Sequence, residues 1–311
     1  MRLDGPESEN VEDRRGQGGG GFGGGGLGGG GFRIPGGRVG GGLGTIAILL
    51  IAAFLGVDLT GIVGDDTGQP VPQERRFDPG QAGNGQGGNG QQAGREDAGR
   101  RFVAQVLGET ERVWTEQFAQ MGRTYHDPTL VLFSGVTRSG CGTAQAETGP
   151  FYCPNDQKVY IDLDFMHQLQ NRLGARGDFA AAYIIAHEVG HHVQNELGTL
   201  ERAHQFQARY GGNSPEANQI QVRVELQADC YAGVWANLAN RERHILEDGD
   251  IEQGLNAAAA VGDDRLQRQM RGTVQPETFT HGSSAQRVRW FRRGLESGNI
   301  RACDTFGTQQ L

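Results

Sequence analysis

The sequence lacks a basic patch, a C-x-x-C pair and any unit repeating at solenoid periods. Each absence removes a class of protein. With 29 Lys and Arg against 37 Asp and Glu, the net charge is -8, and the arginines are scattered along helical stretches. That balance excludes a nucleic-acid partner from the reading. Without C-x-x-C, a cysteine zinc site and a thioredoxin-type motif are both disfavoured. Without a repeat, the chain is not a solenoid or array. The first third is also short of core material. Of the 53 glycines, 32 fall in residues 1–100, and Gly-rich chain cannot bury enough apolar surface to offset the entropy of ordering it. What remains from residue 96 onward suffices for one globular domain.

The 19 residues 39–57 carry no charge. As a helix at 1.5 Å per residue they would span roughly 28 Å, about the hydrocarbon thickness of a bilayer. The run starts deep in the chain and no small-x-small cleavage site precedes Asp58, so it reads as a retained transmembrane helix rather than a signal peptide. Arg33 and Arg38 precede it, whereas Asp58, Asp65 and Asp66 follow. The positive-inside rule then puts the N-terminus in the cytoplasm and the rest outside a single-pass cell-membrane anchor. The expected organisation is a Gly-rich cytoplasmic tail (1–38), a span (39–57), a flexible linker (58–95) and an extracytoplasmic domain (96–311).

Helical spacing of Phe102, Val103, Val106, Leu107, Val113, Trp114 and Phe118 predicts a helix over 97–121. Residues 130–133 read as a strand, and 151–163 as two extended runs around the turn at Pro154, Asn155 and Asp156. Further helices are expected over 179–197, 218–241, 251–270 and 284–296, the last capped by Ser283 or Ser284. The fold class is α+β, mainly helical, with a small sheet packed on the 179–197 helix.

That helix contains His187-Glu188-Val189-Gly190-His191, an H-E-x-x-H pattern. Residues four apart differ by about 40° around a helix, so both imidazoles can reach one metal. Glu188 points beside the metal, where a general base is needed. Gly190 leaves room for another element to cross closely. Further on, Glu225 and Asp229 again stand four apart in an Ala- and Leu-rich helix. Two carboxylates on such a face need compensation. Zinc ligated by His187, His191 and Glu225 supplies it, with Asp229 accepting the free N–H of a ligand histidine. Three protein ligands leave one tetrahedral position open, as catalytic rather than structural sites do.

His281, in a loop before the last helix, is the first choice to stabilise a developing oxyanion, and Tyr160 the second. His126, His167, His192, His204 and His244 read as surface residues. Residues 159–163 are a candidate free edge to which a peptide substrate adds as a strand. Four cysteines permit two disulfides in three pairings. Cys141 and Cys153 bracket a short polar loop suited to a local bridge, leaving Cys230 for Cys303; four buried thiols are the alternative.

These residues resemble a bacterial family, the neutral zinc metallopeptidases of the YpfJ type. The resemblance rests on Glu9 to Arg15 (ENVEDRR), Cys141-Gly142, Gly149 to Pro154, His187 to His192, Glu225 to Cys230, and His281-Gly282-Ser283-Ser284 with Gln286-Arg287. It implies a zincin-like domain with one zinc and a gluzincin-like site in which Glu225 is the third ligand. The expected function is membrane-anchored, zinc-dependent hydrolysis of peptide bonds in a peptide or protein substrate. A non-catalytic envelope binding or scaffold protein that keeps the zincin fold is the alternative, and a hydrolase of a cell-wall amide is a third.

Overall fold

A computed structural model describes residues 1–16, 89–145, 149–163, 166, 177–211 and 214–311. The expected span over 39–57 lies outside these residues, as does His167. Among the described residues no helix is long and apolar enough to cross a membrane.

The first long helix, α1 (Asn89–Gln120), buries Val103, Val106, Leu107, Val113, Trp114 and Phe118, the stripe its spacing predicted. It begins inside the expected linker, where Gln91, Gln92 and Ala93 are good helix formers that extend it backward. Four strands form the main sheet in the order β1 (Val11–Asp13), β2 (Thr129–Phe133), β6 (Lys158–Asp162), β5 (Phe151–Cys153). The first three are parallel, and β5 runs antiparallel to β6. Strand alternation divides the two faces. Leu130, Leu132, Val159 and Ile161 join the main helical core, whereas Val131, Phe133 and Tyr160 pack on the other face with Ala144 and Cys153. Strands β3 (Val136–Ser139) and β4 (Gly142–Gln145) form a separate hairpin.

The remaining helices are α2 (Asp178–Glu196), α3 (Thr199–Tyr210), α4 (Pro215–Arg243), α5 (Asp250–Ala260), α6 (Asp263–Arg271) and α7 (Ser284–Ser297). α4 is the central one. Ser214 caps it by accepting from the Ala217 N–H, Pro215 starts it, and Arg241 and Arg243 lie in its last turn. It touches α7 through bare backbone: a Cβ on Gly294 would meet the Cys230 carbonyl at 1.9 Å, and one on Gly233 the Phe291 carbonyl at 2.1 Å. α7 starts with a full capping box between Ser283 and Gln286.

Four expectations are corrected. The helix expected over 251–270 is two, broken at Gly262, where a Cβ would collide with the Ser284 backbone nitrogen at 2.3 Å. α3 was not foreseen, because its buried stripe of Thr199, Leu200, Ala203 and Gln207 is half polar. Strand β6 has partners on both sides, so residues 159–162 offer no free edge; among the described residues the outer strands of the sheet are β1 and β5. Finally, residues 1–15, expected in a separate tail, are part of the domain through β1. The chain of the globular unit therefore does not begin at 96.

Candidate metal centre

α2 and α4 cross at Gly190. A Cβ there would lie 3.0 Å from the Ala228 carbonyl oxygen and 3.2 Å from its Cα. The missing side chain lets the helices approach until Glu225 and Asp229, on either side of Ala228, flank the H-E-x-x-H turn. His187 Nε2 then sits 3.2 Å from Glu225 Oε2, and His191 Nε2 3.5 Å from the same oxygen. The three side chains form a group whose ligand atoms all lie within 4.8 Å of one another. A tetrahedral zinc with ligands at about 2.0–2.1 Å has ligand-to-ligand edges of about 3.3–3.4 Å. The donors present fit that metal.

Each ligand is held from behind. His187 Nδ1 pairs with Asp229 Oδ1 at 2.8 Å, and His191 Nδ1 with Gln194 Oε1 at 2.9 Å. With both Nδ1 atoms donating, both Nε2 atoms face Glu225 with a lone pair to give. Gln221 Nε2 donates to Glu225 Oε1 at 2.9 Å, leaving Oε2 toward the histidines. Gln194 is fixed in turn by the Val224 carbonyl and Gln227, and Gln227 by the Cys303 carbonyl. Asp229 is fully buried and takes a bidentate pair from Arg287, Nε to Oδ2 and Nη2 to Oδ1, each at 2.8 Å. Tyr183 Oη donates to the same carboxylate.

The electrostatics ask for a cation between the imidazoles. Burial would lower the His187 pKa, yet Asp229, then Glu225, push it up to about 9. A proton on Nε2 is thus favoured where a metal ion would stand. Burial opposes the charge on Asp229 as well, but Arg287 and His187 hold its carboxyl down to about 2. Glu225 lies well below the usual range: His191, His281 and His187 outweigh its burial. Glu188 moves the other way, raised by burial against the pull of His187 and His191. A carboxylate raised toward neutrality is suited to accept and return a proton.

His281 is buried near enough to this centre for its charge and that of Glu225 to act on each other. The α5–α6 break places Asp263 beneath its loop, and Asp263 Oδ2 accepts the backbone N–H groups of Thr280, His281 and Gly282 at 2.8, 2.7 and 3.0 Å. Its Nδ1 faces Asp263 Oδ1 at 3.3 Å. Burial disfavours its charge, but Glu225 and Asp263 raise its pKa. Tyr160 does not come: it points to the opposite face of the sheet, donates to Asp156 at 2.6 Å and stacks on Phe151. His192 is no surface residue. It is fully buried, bonded to Tyr152 Oη at 3.0 Å and the His126 carbonyl at 2.6 Å, which moors β5 beside the ligand His191. His126, His204 and His244 are exposed as expected. Both disulfides form, Cys141–Cys153 between the hairpin and β5, and Cys230–Cys303 between α4 and the C-terminal segment.

The sequence reading missed Gln194, Gln221 and Tyr183, and gave Arg287, one of the residues that carry the resemblance, no role. Gln194 and Gln221 stand three and four residues from the ligands they hold, a helical spacing that would have pointed to them. Arg287 had no such signal, since its contact with Asp229 spans two helices.

Two imidazoles and a carboxylate from crossing helices, with a further carboxylate alongside, are the donor set of a mononuclear zinc centre. Residues 1–306 match the family model described as "Putative neutral zinc metallopeptidase", and the chain belongs to that family. It is 48% identical over 311 residues to "Uncharacterized protein YpfJ" of Escherichia coli K12, covering 99% of each chain. It is also 48% identical over 197 residues to "Uncharacterized protein Rv2575" of Mycobacterium tuberculosis H37Rv, a stretch of 60% of this chain and 65% of that one. No solved structure matches it.

Proposed function

We propose that this chain is a zinc-dependent peptidase in which His187, His191 and Glu225 hold one zinc and Glu188 is the general base. The observation that carries the reading is the convergence of both Nε2 atoms on Glu225 Oε2 at 3.2 and 3.5 Å. A zinc ion held by these three residues would supply Lewis acidity, polarising the scissile carbonyl and lowering the pKa of a water toward neutrality. Glu188 takes the proton from that water and passes it to the leaving amine, a task its raised pKa suits. His281, whose charged form Glu225 and Asp263 favour against its burial, is the donor aimed at the oxyanion. Asp229 and Gln194 keep the ligand histidines in the tautomer that turns Nε2 inward.

The substrate is a peptide or protein segment that adds to the free edge of β5 (Phe151–Cys153), which His192 and Tyr152 fasten to α2. The domain works where its two disulfides stay oxidised.

Zinc content by elemental analysis and hydrolysis of casein or a peptide library, on the whole chain, test the reading together. Glu188→Gln should keep one zinc per chain and lose about 10²–10⁴ in kcat, whereas Glu225→Ala should lose the metal. A Glu188→Gln protein as active as the parent would sink the mechanism. A zinc-loaded parent without hydrolysis would leave a binding protein built on this scaffold.

A further inference from the structure

Residues 1–15 are joined to the domain along their length. The Arg2 N–H donates to the Ile245 carbonyl at 2.8 Å, Ser8 to Ala104 at 2.9 Å, Leu130 to Asn10 at 2.8 Å and Arg14 to Leu132 at 2.8 Å. Between them Val11, Glu12 and Asp13 lie in register with Leu130, Val131 and Leu132. The polar side chains are matched too. Ser8 and Asn10 both donate to Glu111 Oε1, at 2.6 and 2.9 Å. Glu12 pairs with Arg14 and Lys158, each at 2.8 Å, and Arg14 Nη1 reaches the Arg138 carbonyl at 2.9 Å.

The domain is also cut to receive this segment. Gly108 sits inside α1, where glycine costs roughly 1 kcal/mol against alanine. A Cβ there would lie 2.8 Å from the Pro6 carbonyl oxygen and 3.3 Å from the Ser8 nitrogen. The helix gives up a side chain where the N-terminal backbone crosses it.

Paired strands stand about 4.8 Å apart, and a bilayer's hydrocarbon core is about 30 Å thick. A strand cannot stay in this sheet from the far side of a membrane. We infer that residues 1–16 and the domain from residue 89 onward occupy the same side of any membrane the chain meets. The stretch between them then traverses the bilayer an even number of times, zero included, and residues 39–57 are not a single-pass anchor. This replaces the N-terminus-inside, domain-outside arrangement that the flanking charges alone suggest. It does not depend on the catalytic reading, because none of the contacts used involves a metal ligand.

The test uses the whole chain in its native membrane, with one epitope inserted in the glycine run after residue 20 and another after Leu311. Protease is added to intact spheroplasts and again after lysis. Both epitopes should be lost together, or both should survive until lysis. Loss of one with survival of the other would overturn the inference. To show that the insertions leave the sheet intact, Val11→Cys and Leu130→Cys are combined in the tagged chain. A short bismaleimide should join them within one chain, read as a mobility shift; a chain with parent-like circular dichroism in which they do not join would equally overturn it.

Discussion

His187 and His191 share one helix and Glu225 and Asp229 another, each pair four residues apart, so the candidate metal centre draws its donors from two short stretches. The N-terminal segment is assembled in the opposite way. Its partners Ala104, Leu130, Leu132, Lys158 and Ile245 come from four places in the chain, and its strand is three residues of Val, Glu and Asp. In the first region chemistry is concentrated in a periodic pattern and packing brings two patterns together once, at Gly190. In the second, many modest contacts each need the finished domain. The lesson is that a site can be far easier to read than the frame around it.

Variants that separate the two regions sharpen this contrast. The largest effect is expected at Arg287. Arg287→Gln takes from the buried Asp229 its bidentate partner and leaves His187 alone to balance it, a loss of up to about 3–5 kcal/mol, and should weaken zinc binding by about 10–100-fold through the looser His187. Urea unfolding of the metal-free chain and competition with a zinc-binding dye measure the two effects. Equal affinity in parent and variant would mean that Arg287 is only a strut. Removing residues 1–15 should be smaller in stability and different in kind. The partly buried Met1, Leu3 and Val11 leave the core, a loss of about 3 kcal/mol, and the apolar edge of β2 is uncovered. In protein kept cold and dilute, zinc affinity should stay within a few-fold of the parent; a collapse of affinity would break the separation between frame and centre.

The smallest effect concerns pH. Arg14, with Lys158, holds the Glu12 carboxyl down to about 2, below its ordinary 4.5. A depressed folded-state pKa means that this contribution is fully present above about 4.5 and fades as pH falls toward 2. The gap in urea midpoint between the parent and Glu12→Gln should therefore narrow over that interval. Since the Glu12 side chain is 41% exposed, the gap itself is small. A gap constant from pH 5 to 2.5 would remove the ion pairs from the account of the clasp.

The legible part of the molecule was the part with a period. The grouping of His187, His191 and Glu225, the pairing of Asp229 with His187 and the stripe of α1 follow from helical spacing, the cap from the serines 283 and 284, of which Ser283 serves, and the glycine of the H-E-x-x-H turn marked a close crossing that α4 makes at Ala228. Tyr160 and the free edge were misjudged because strand order decides which face and which side are open, and order is not written locally. His192 looked solitary because its partners, Tyr152 and the His126 carbonyl, lie on other elements. The polar residues 9–15 offered no apolar signal; their role becomes visible only when Glu111, Lys158 and Arg138 stand opposite them.

Strand β1 also sets an order of events during synthesis. It leaves the ribosome before its neighbour β2, the flanking β6 and the Ile245 carbonyl that receives Arg2, all of which are made later. Contacts so distant in sequence close slowly. Until they close, the apolar run Leu130 to Phe133 has an unguarded edge, the condition in which nascent chains stick to one another. The period between translation of β2 and capture of β1 is when this chain has most need of a chaperone.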